Sequence, residues 1–183
     1  KFIPIPFSEV MFAYNKVGES EKQESYFCVV IQKALFNKYV NVFKDYGMQP
    51  YFELEFFSLA RLLPESLEVS ALLFVGHSNS FIILVKNKTV LDFFIIKTTS
   101  ARVAILLSQK YEISITDSRT LLASVDKLKE SGRQETLEVI SGMQEQVVVE
   151  LAQEVSQTIA AIEQTHGLAV RQLFAVGDVD NLA

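Results

Sequence analysis

At 183 residues, with 49% hydrophobic content and a formal charge of −5, the chain can bury one good core or two small ones and lies outside the compositional range of disorder. An isoelectric point near 5.1, with no run of lysines or arginines, argues against an electrostatic footprint for nucleic acid, so no nucleic-acid partner is expected. No apolar run approaches the ~18 residues of a spanning helix, and the amino terminus lacks a basic-then-apolar signal pattern, so any membrane role is expected to be borrowed from a partner.

The chain opens on Lys1 and an extended FIPIPF, which reads as a piece of a longer chain whose upstream portion is missing. Residues 9–17 (EVMFAYNKV) are strand-like and aromatic, GESEKQES is a polar turn, and a second strand is expected over 26–32. The single cysteine, Cys28, sits there in the apolar YFCVVI. It has no partner for an internal disulfide and reads as a small buried hydrophobe suited to a reducing compartment. Residues 34–46 carry Leu35, Tyr39, Val42, Phe43 and Tyr46 at helical spacing, with Gly47 where a helix stops. Pro50 then opens a short strand, YFELE, and FFSLARLL is a helix halted by Pro64. Residues 1–66 thus form a small β-β-α-β-α unit of the α+β class, with PESLEV as the boundary and 67–183 as a second unit.

The second unit begins with strands at 71–75, 81–86 and 90–96, joined by GHSNS and by Asn87-Lys88, which is the pattern of an antiparallel meander. Helices are expected over 100–111, 117–129 and 134–164. On the last, Met143, Val147, Leu151, Val155 and Ile159 recur every fourth residue, supported by Ile140, Ala152 and Ile162, as one apolar stripe. Thr165-His166-Gly167 ends it, and 168–176 supplies a fourth strand.

GHSNS tests the chemistry. A serine nucleophile elbow reads G-x-S-x-G and leads from a strand into a helix. Here Ser80 replaces the last glycine, the strand-like run FIILV follows, and the only other histidine, His166, ends the long helix, so no positioned base is in view. Two readings remain: local hydrogen bonds between turn side chains and turn backbone, or a phosphate hairpin whose backbone N–H groups and hydroxyls face an anion. No histidine or cysteine spacing suits a metal. Asp178 and Asp180 in VGDVDNL lack the third ligand, glycine and closing glutamate of a calcium loop. No GxxxxGK[ST] or GxGxxG occurs.

Taken in order, KFIPIPFSEVMFAYNKVG, ALFNKYVNVFKDYGMQPYFELEFFSLARLL, ALLFVGHSNSFIILVKNKTVLDFF and LAVRQLFAVGDVDNL resemble the type IV pilus assembly protein PilM family, actin-like relatives of the cell-division protein FtsA. The resemblance implies an actin-like (ribonuclease H-like) α/β subdomain over 67–183, preceded by a small subdomain of the 1C type. It makes GHSNS the second phosphate hairpin and Gly177 part of the adenosine turn, so Gly76, Ser78, Ser80 and Gly177 are the implied nucleotide-site residues.

The departures imply a degenerate site. Phe74 stands where the family carries an acidic residue that assists metal-bound nucleotide, and a phenyl ring can serve as neither ligand nor base. Thr98-Thr99 replaces paired glycines, Leu122 in TDSRTLL replaces a lysine, and Asp178 follows Gly177 with a charge that repels phosphate. No cofactor is expected, although the resemblance by itself would allow ATP, and no ATP turnover. The family further implies a cytoplasmic scaffold at the inner membrane. Its partner would be the cytoplasmic tail of a PilN-like bitopic membrane protein, met near Phe7, Phe12 and Tyr14, and a homo-oligomeric ring would form. A polymerising FtsA-type ATPase and the cytoplasmic domain of a type II secretion L protein are the alternatives.

Overall fold

The computed structural model describes residues 5–20, 23–66 and 68–178, so Asp180 lies outside them. The chain divides into two compact units, one of residues 1–65 with 85–92, the other of 66–84 with 93–183.

In the first unit a single 3-10 turn, Phe7–Glu9, leads into β1 (Val10–Ser20), which pairs antiparallel with β2 (Gln23–Gln32) from Val10↔Gln32 onward. Residues directly opposite share a face. Ala13/Val29 and Asn15/Phe27 therefore point one way, and Phe12/Val30, Tyr14/Cys28 and Lys16/Tyr26 the other. The first face is covered only in part: Phe27 meets Phe56 and Phe57 at ring-centroid distances of 5.6 and 5.8 Å, while Ala13 and Asn15 are exposed. The second is open, and Cys28 lies exposed on it. The expectation of a buried cysteine fails because strand alternation puts it opposite Tyr14 rather than beside Phe27.

Helix α1 (Lys33–Lys44) follows, with Gly47 at φ +64° in the turn beyond it. Phe36 and Phe43 pack on Phe52 at 5.3 and 6.2 Å, whereas Leu35, Tyr39, Val42 and Tyr46 are exposed. The apolar stripe at helical spacing is thus turned outward, except for Phe43, although the Tyr39 ring also reaches Phe52 at 6.1 Å. The strand expected at YFELE does not form either. Residues 51–54 carry no sheet pairing, Phe52 instead gives its ring to α1, and Glu55 already begins α2 (Glu55–Ala60). Phe56, Ala60 and Leu63 are buried beneath it.

A four-stranded sheet in the order β5-β4-β3-β6, most of it within the second unit, is made of β3 (Val69–Val75), β4 (Ser80–Lys86), β5 (Thr89–Ile96) and β6 (Val170–Gly177); the tip of the β4–β5 hairpin, residues 85–92, groups with the first unit. The two residues between β4 and β5, Asn87 and Lys88, both have positive φ, 49° and 60°, the conformation of a hairpin turn that only antiparallel neighbours can use. β6 returns parallel to β3, from Val69↔Val170 to Val75↔Gly177. The central strands β3 and β4 are covered on both faces, so Leu72, Ile82, Ile83 and Leu84 are wholly buried, which explains their unbroken apolar runs.

Between β5 and β6 run α3 (Ala101–Tyr111), α4 (Ile115–Ala123), α5 (Val125–Glu130) and α6 (Gln134–His166). α3 packs on α4 and α6, and α5 on α6. α4 starts at a cap in which the Ser114 hydroxyl accepts from the Asp117 N–H at 3.0 Å. The single helix expected over 117–129 is broken at Ser124, whose Oγ donates to the Leu121 carbonyl at 2.8 Å; such back-bonding competes with helix continuation. On α6 most of the predicted stripe is present: Ile140, Val147, Leu151, Val155 and Ile162 are buried and Met143 and Ile159 part-buried, but Ala152 is exposed. Gly167 closes the helix at φ +63°.

Candidate functional site

At the carboxyl ends of β3 and β6 the chain makes an unusually close approach. Gly76 follows β3, and Gly177 ends β6 directly opposite Val75. A Cβ on Gly177, where φ is +100°, would lie 2.2 Å from the Val75 carbonyl oxygen; one on Gly76 would lie 2.5 Å from that of Asn79. Neither position admits a side chain without moving backbone. One phenyl ring sits between the two glycines: Cε1 of Phe74 would be 2.8 Å from the Gly76 Cβ and its Cε2 3.3 Å from the Gly177 Cβ. The ring is held there by stacking on Phe81 at 4.9 Å, which in turn meets Phe93 at 5.3 Å. The space glycines would leave for a ligand is occupied by hydrocarbon from the chain itself.

The hairpin hydroxyls divide between two fates. Ser80 is buried, and its Oγ accepts from the Gly76 N–H at 3.4 Å, as the local-turn reading expects. Ser78 is exposed together with His77 and Asn79. His166 packs edge-on against Phe94 at 6.2 Å and does not line the cleft that takes His77, so no base is assembled for Ser78.

That cleft, of about 790 Å³, is lined by His77, Ser100, the α4 and α5 residues Arg119, Leu122, Asp126 and Lys129, the α6 residues Ser141 and Gln144, and Asp178, among others. Gly76, Ser78, Ser80 and Gly177 are not in its lining, although the neighbours His77 and Asp178 are. Leu122 and Asp178, two of the departures noted in the sequence, do face it. Asp178 accepts from the Ser100 hydroxyl at 2.8 Å, which ties the end of β6 to the start of α3. Arg119, Lys129 and Gln144 were not anticipated. They lie on three helices with no common spacing, and only the tertiary fold assembles them.

The loop after β5 holds a second unanticipated group. The Glu154 carboxylate, from the middle of α6, accepts from the N–H groups of Lys97 (2.8 Å) and Thr98 (3.0 Å) and from the Thr98 hydroxyl (2.9 Å). Burial raises the pKa of this carboxyl, but the two backbone N–H bonds and the hydroxyl outweigh it and hold Glu154 below the usual carboxylate range. A protein carboxylate already fills the anion-binding backbone of this loop. Among the described residues no cluster of three or more metal-ligating side chains occurs.

In the first unit the predicted Phe7, Phe12 and Tyr14 come together on the open face of the β1–β2 hairpin. Their rings form a continuous row with Tyr26: Phe7–Phe12 at 5.0 Å, Phe12–Tyr14 at 6.4 Å and Tyr14–Tyr26 at 5.6 Å. Phe7 and Tyr14 are 66% and 61% exposed, so the row is surface rather than core. Glu24 anchors one end, accepting from Lys16 Nζ and the Tyr26 hydroxyl, each at 2.6 Å.

No family model matches the sequence, and no curated protein matches it significantly. Solved structures do. A structure described as the PilM–PilN type IV pilus biogenesis complex superposes with a TM-score of 0.70 at 16% identity over 98% of this chain. The chain spans about half of the matched one, 52% of its length. The ethanolamine utilization protein EutJ from Carboxydothermus hydrogenoformans is a looser likeness, with a TM-score of 0.44 at 19% identity over 69% of this chain and 41% of the other. The fold is therefore the mixed α/β, actin-like fold seen in PilM, reached by a divergent sequence.

Proposed function

We propose that this chain is a non-catalytic part of a type IV pilus assembly or related secretion scaffold. It binds the cytoplasmic tail of a PilN-like bitopic inner-membrane protein through the open aromatic face of β1 and β2, and meets the membrane only through that partner. The observation that carries the reading is the ring row Phe7–Phe12–Tyr14–Tyr26, presented to solvent on a two-stranded sheet. Contiguous exposed aromatics mark binding surfaces, because large rigid rings supply contact area at little entropic cost. The shared fold with a chain of the PilM–PilN complex supports the choice of partner.

ATP turnover is not part of the reading. The phenyl ring of Phe74 fills the gap between Gly76 and Gly177, Glu154 occupies the N–H groups after β5, and Asp178 adds negative charge at the cleft. Calorimetry with ATP is the direct test: a micromolar dissociation constant would overturn this half of the reading and favour an FtsA-type protein. For the other half, a cytoplasmic tail peptide of a PilN-like bitopic protein is titrated into wild type and into a Phe12→Ser/Tyr14→Ser variant. Binding is expected to fall at least tenfold in the variant. Unchanged affinity would remove the aromatic face from the interaction.

A further inference from the structure

The outward face of α1 is a second exposed apolar surface, and it has a geometry of its own. Leu35, Tyr39 and Val42 of α1, and Tyr46 in the turn just beyond its last residue, follow one another at spacings of four, three and four residues, the alternation of a helix-pairing seam. No residue of α1 is buried in the chain, and Val42 and Tyr46 are 61% and 78% exposed. The stripe on one flank of this seam, Phe36 and Phe43, is used internally against Phe52, which the Tyr39 ring also meets at 6.1 Å while staying 53% exposed. On the opposite flank, seven residues apart, stand Lys38 and the C-cap residue Asp45, whose backbone angles (φ −68°, ψ −17°) continue the helical turn and so set it above Lys38. Both are exposed, and neither makes an ion pair among the described residues.

We propose that α1 pairs with α1 of a second copy of this chain, antiparallel and about a two-fold axis. The charges choose this occupant and this direction. When two identical helices pack antiparallel, residues on the same flank face each other, so Lys38 of one copy meets Asp45 of the other, and the symmetry repeats the contact. In that register Tyr39 meets Val42 and Leu35 meets Tyr46, which closes the four-residue seam on itself. Packed parallel, the helices would set this flank against the aromatic flank and leave both charges unmatched. A helix of 12 residues is only ~18 Å long, so the contact falls short of the ~800 Å² per partner of a standard stable interface. The pair is accordingly weak in dilute solution and strengthened wherever copies are held close together.

Sedimentation velocity on the chain, from ~10 to ~300 μM at low salt, is the test; at that contact size association is expected in this window. The weight-average coefficient should rise toward that of a dimer. Val42→Asp, at an exposed position, should keep the far-UV spectrum and abolish the rise. Lys38→Asp and Asp45→Lys should each push the midpoint to at least ~5-fold higher concentration, since each sets like charges opposite one another twice. An equimolar mixture of those two variants should associate as well as wild type, because the mixed pair again matches opposite charges at both contacts. A wild type that stays monomeric throughout, association surviving Val42→Asp, or a mixture no better than its components would each overturn the proposal. The first of these results would assign the face to some other protein.

Discussion

Phe74→Ala tests whether the ring between the two glycines is part of the fold or an incidental neighbour. The side chain is half-buried, touches the backbone at Gly76 and Gly177, and stacks on Phe81 at 4.9 Å. Complete removal of a buried phenyl typically costs 3–5 kcal/mol, of which an aromatic pair accounts for roughly 0.5–1.5. With the ring mostly covered but still partly accessible, the expected loss is about 2–3 kcal/mol. Equilibrium urea unfolding followed by far-UV circular dichroism measures it, with the slope unchanged if only the native state is affected. The same titration repeated with magnesium and millimolar ATP separates two roles for the ring. A ligand that binds only the folded state raises stability in proportion to the logarithm of its concentration over its dissociation constant. No such gain is expected in wild type or in Phe74→Ala, because Glu154 still holds the N–H groups after β5. A loss under about 0.5 kcal/mol would mean that the ring does not pack as described. Stabilisation of wild type by ATP would show the site to be open despite it.

Gly177→Ala should cost more than a usual surface change, about 2–4 kcal/mol, because φ of +100° and a Cβ 2.2 Å from the Val75 oxygen force the paired strands apart; a thermal midpoint within a degree or two of wild type would refute that. Glu154→Gln keeps the shape but loses the charge that accepts three hydrogen bonds, and should lower stability at neutral pH by about 1–2 kcal/mol. The folded-state pKa of Glu154 is depressed, so its contribution is present above the ordinary carboxylate pKa and disappears as pH falls through the lower folded value. Wild type and Glu154→Gln should therefore converge in stability under acid; a gap that persists would contradict the sign. Glu53 accepts from both Arg61 guanidinium nitrogens, each at 2.5 Å, and from Ser58 Oγ at 2.7 Å, and the Arg61 contact, then the Ser58 hydroxyl, hold its pKa down at about 2. Carboxyl titration by NMR should show it ionised through pH 3, and in Arg61→Ala it should titrate closer to 4.5.

Periodicity alone made the second unit readable. A helix with a stripe every fourth residue on α6 and a meander with a two-residue hinge leave few alternatives, and Val147, Leu151 and Val155 are buried as that pattern requires. The first unit was harder because its apolar residues exceed its core. YFELE alternates like a strand but has no third strand to join, and the Leu35–Tyr46 stripe is as apolar as a core face while facing outward. Hydrophobicity reports that a surface is to be covered, not whether this chain covers it. At the candidate site, Phe74, Leu122 and Asp178 stand out as departures from the residue types of the family the sequence resembles. Glu154 could not, because a glutamate in mid-helix is ordinarily a solvated face and its hydrogen bonds reach 56 residues away in sequence.

The glycines flanking Phe74 also bear on how such loops are recognised elsewhere. Gly76 and Gly177 are required by strand geometry: each Cβ would collide with a carbonyl whether or not anything were bound. Glycine at these two places answers to the tight turn after β3 and to the close pairing of the β6 end with β3, and a search keyed to glycine would label both a nucleotide loop. The residue that separates an inhabited pocket from a sealed one is the side chain two positions before the first glycine, where a single aromatic turns a doorway into a wall.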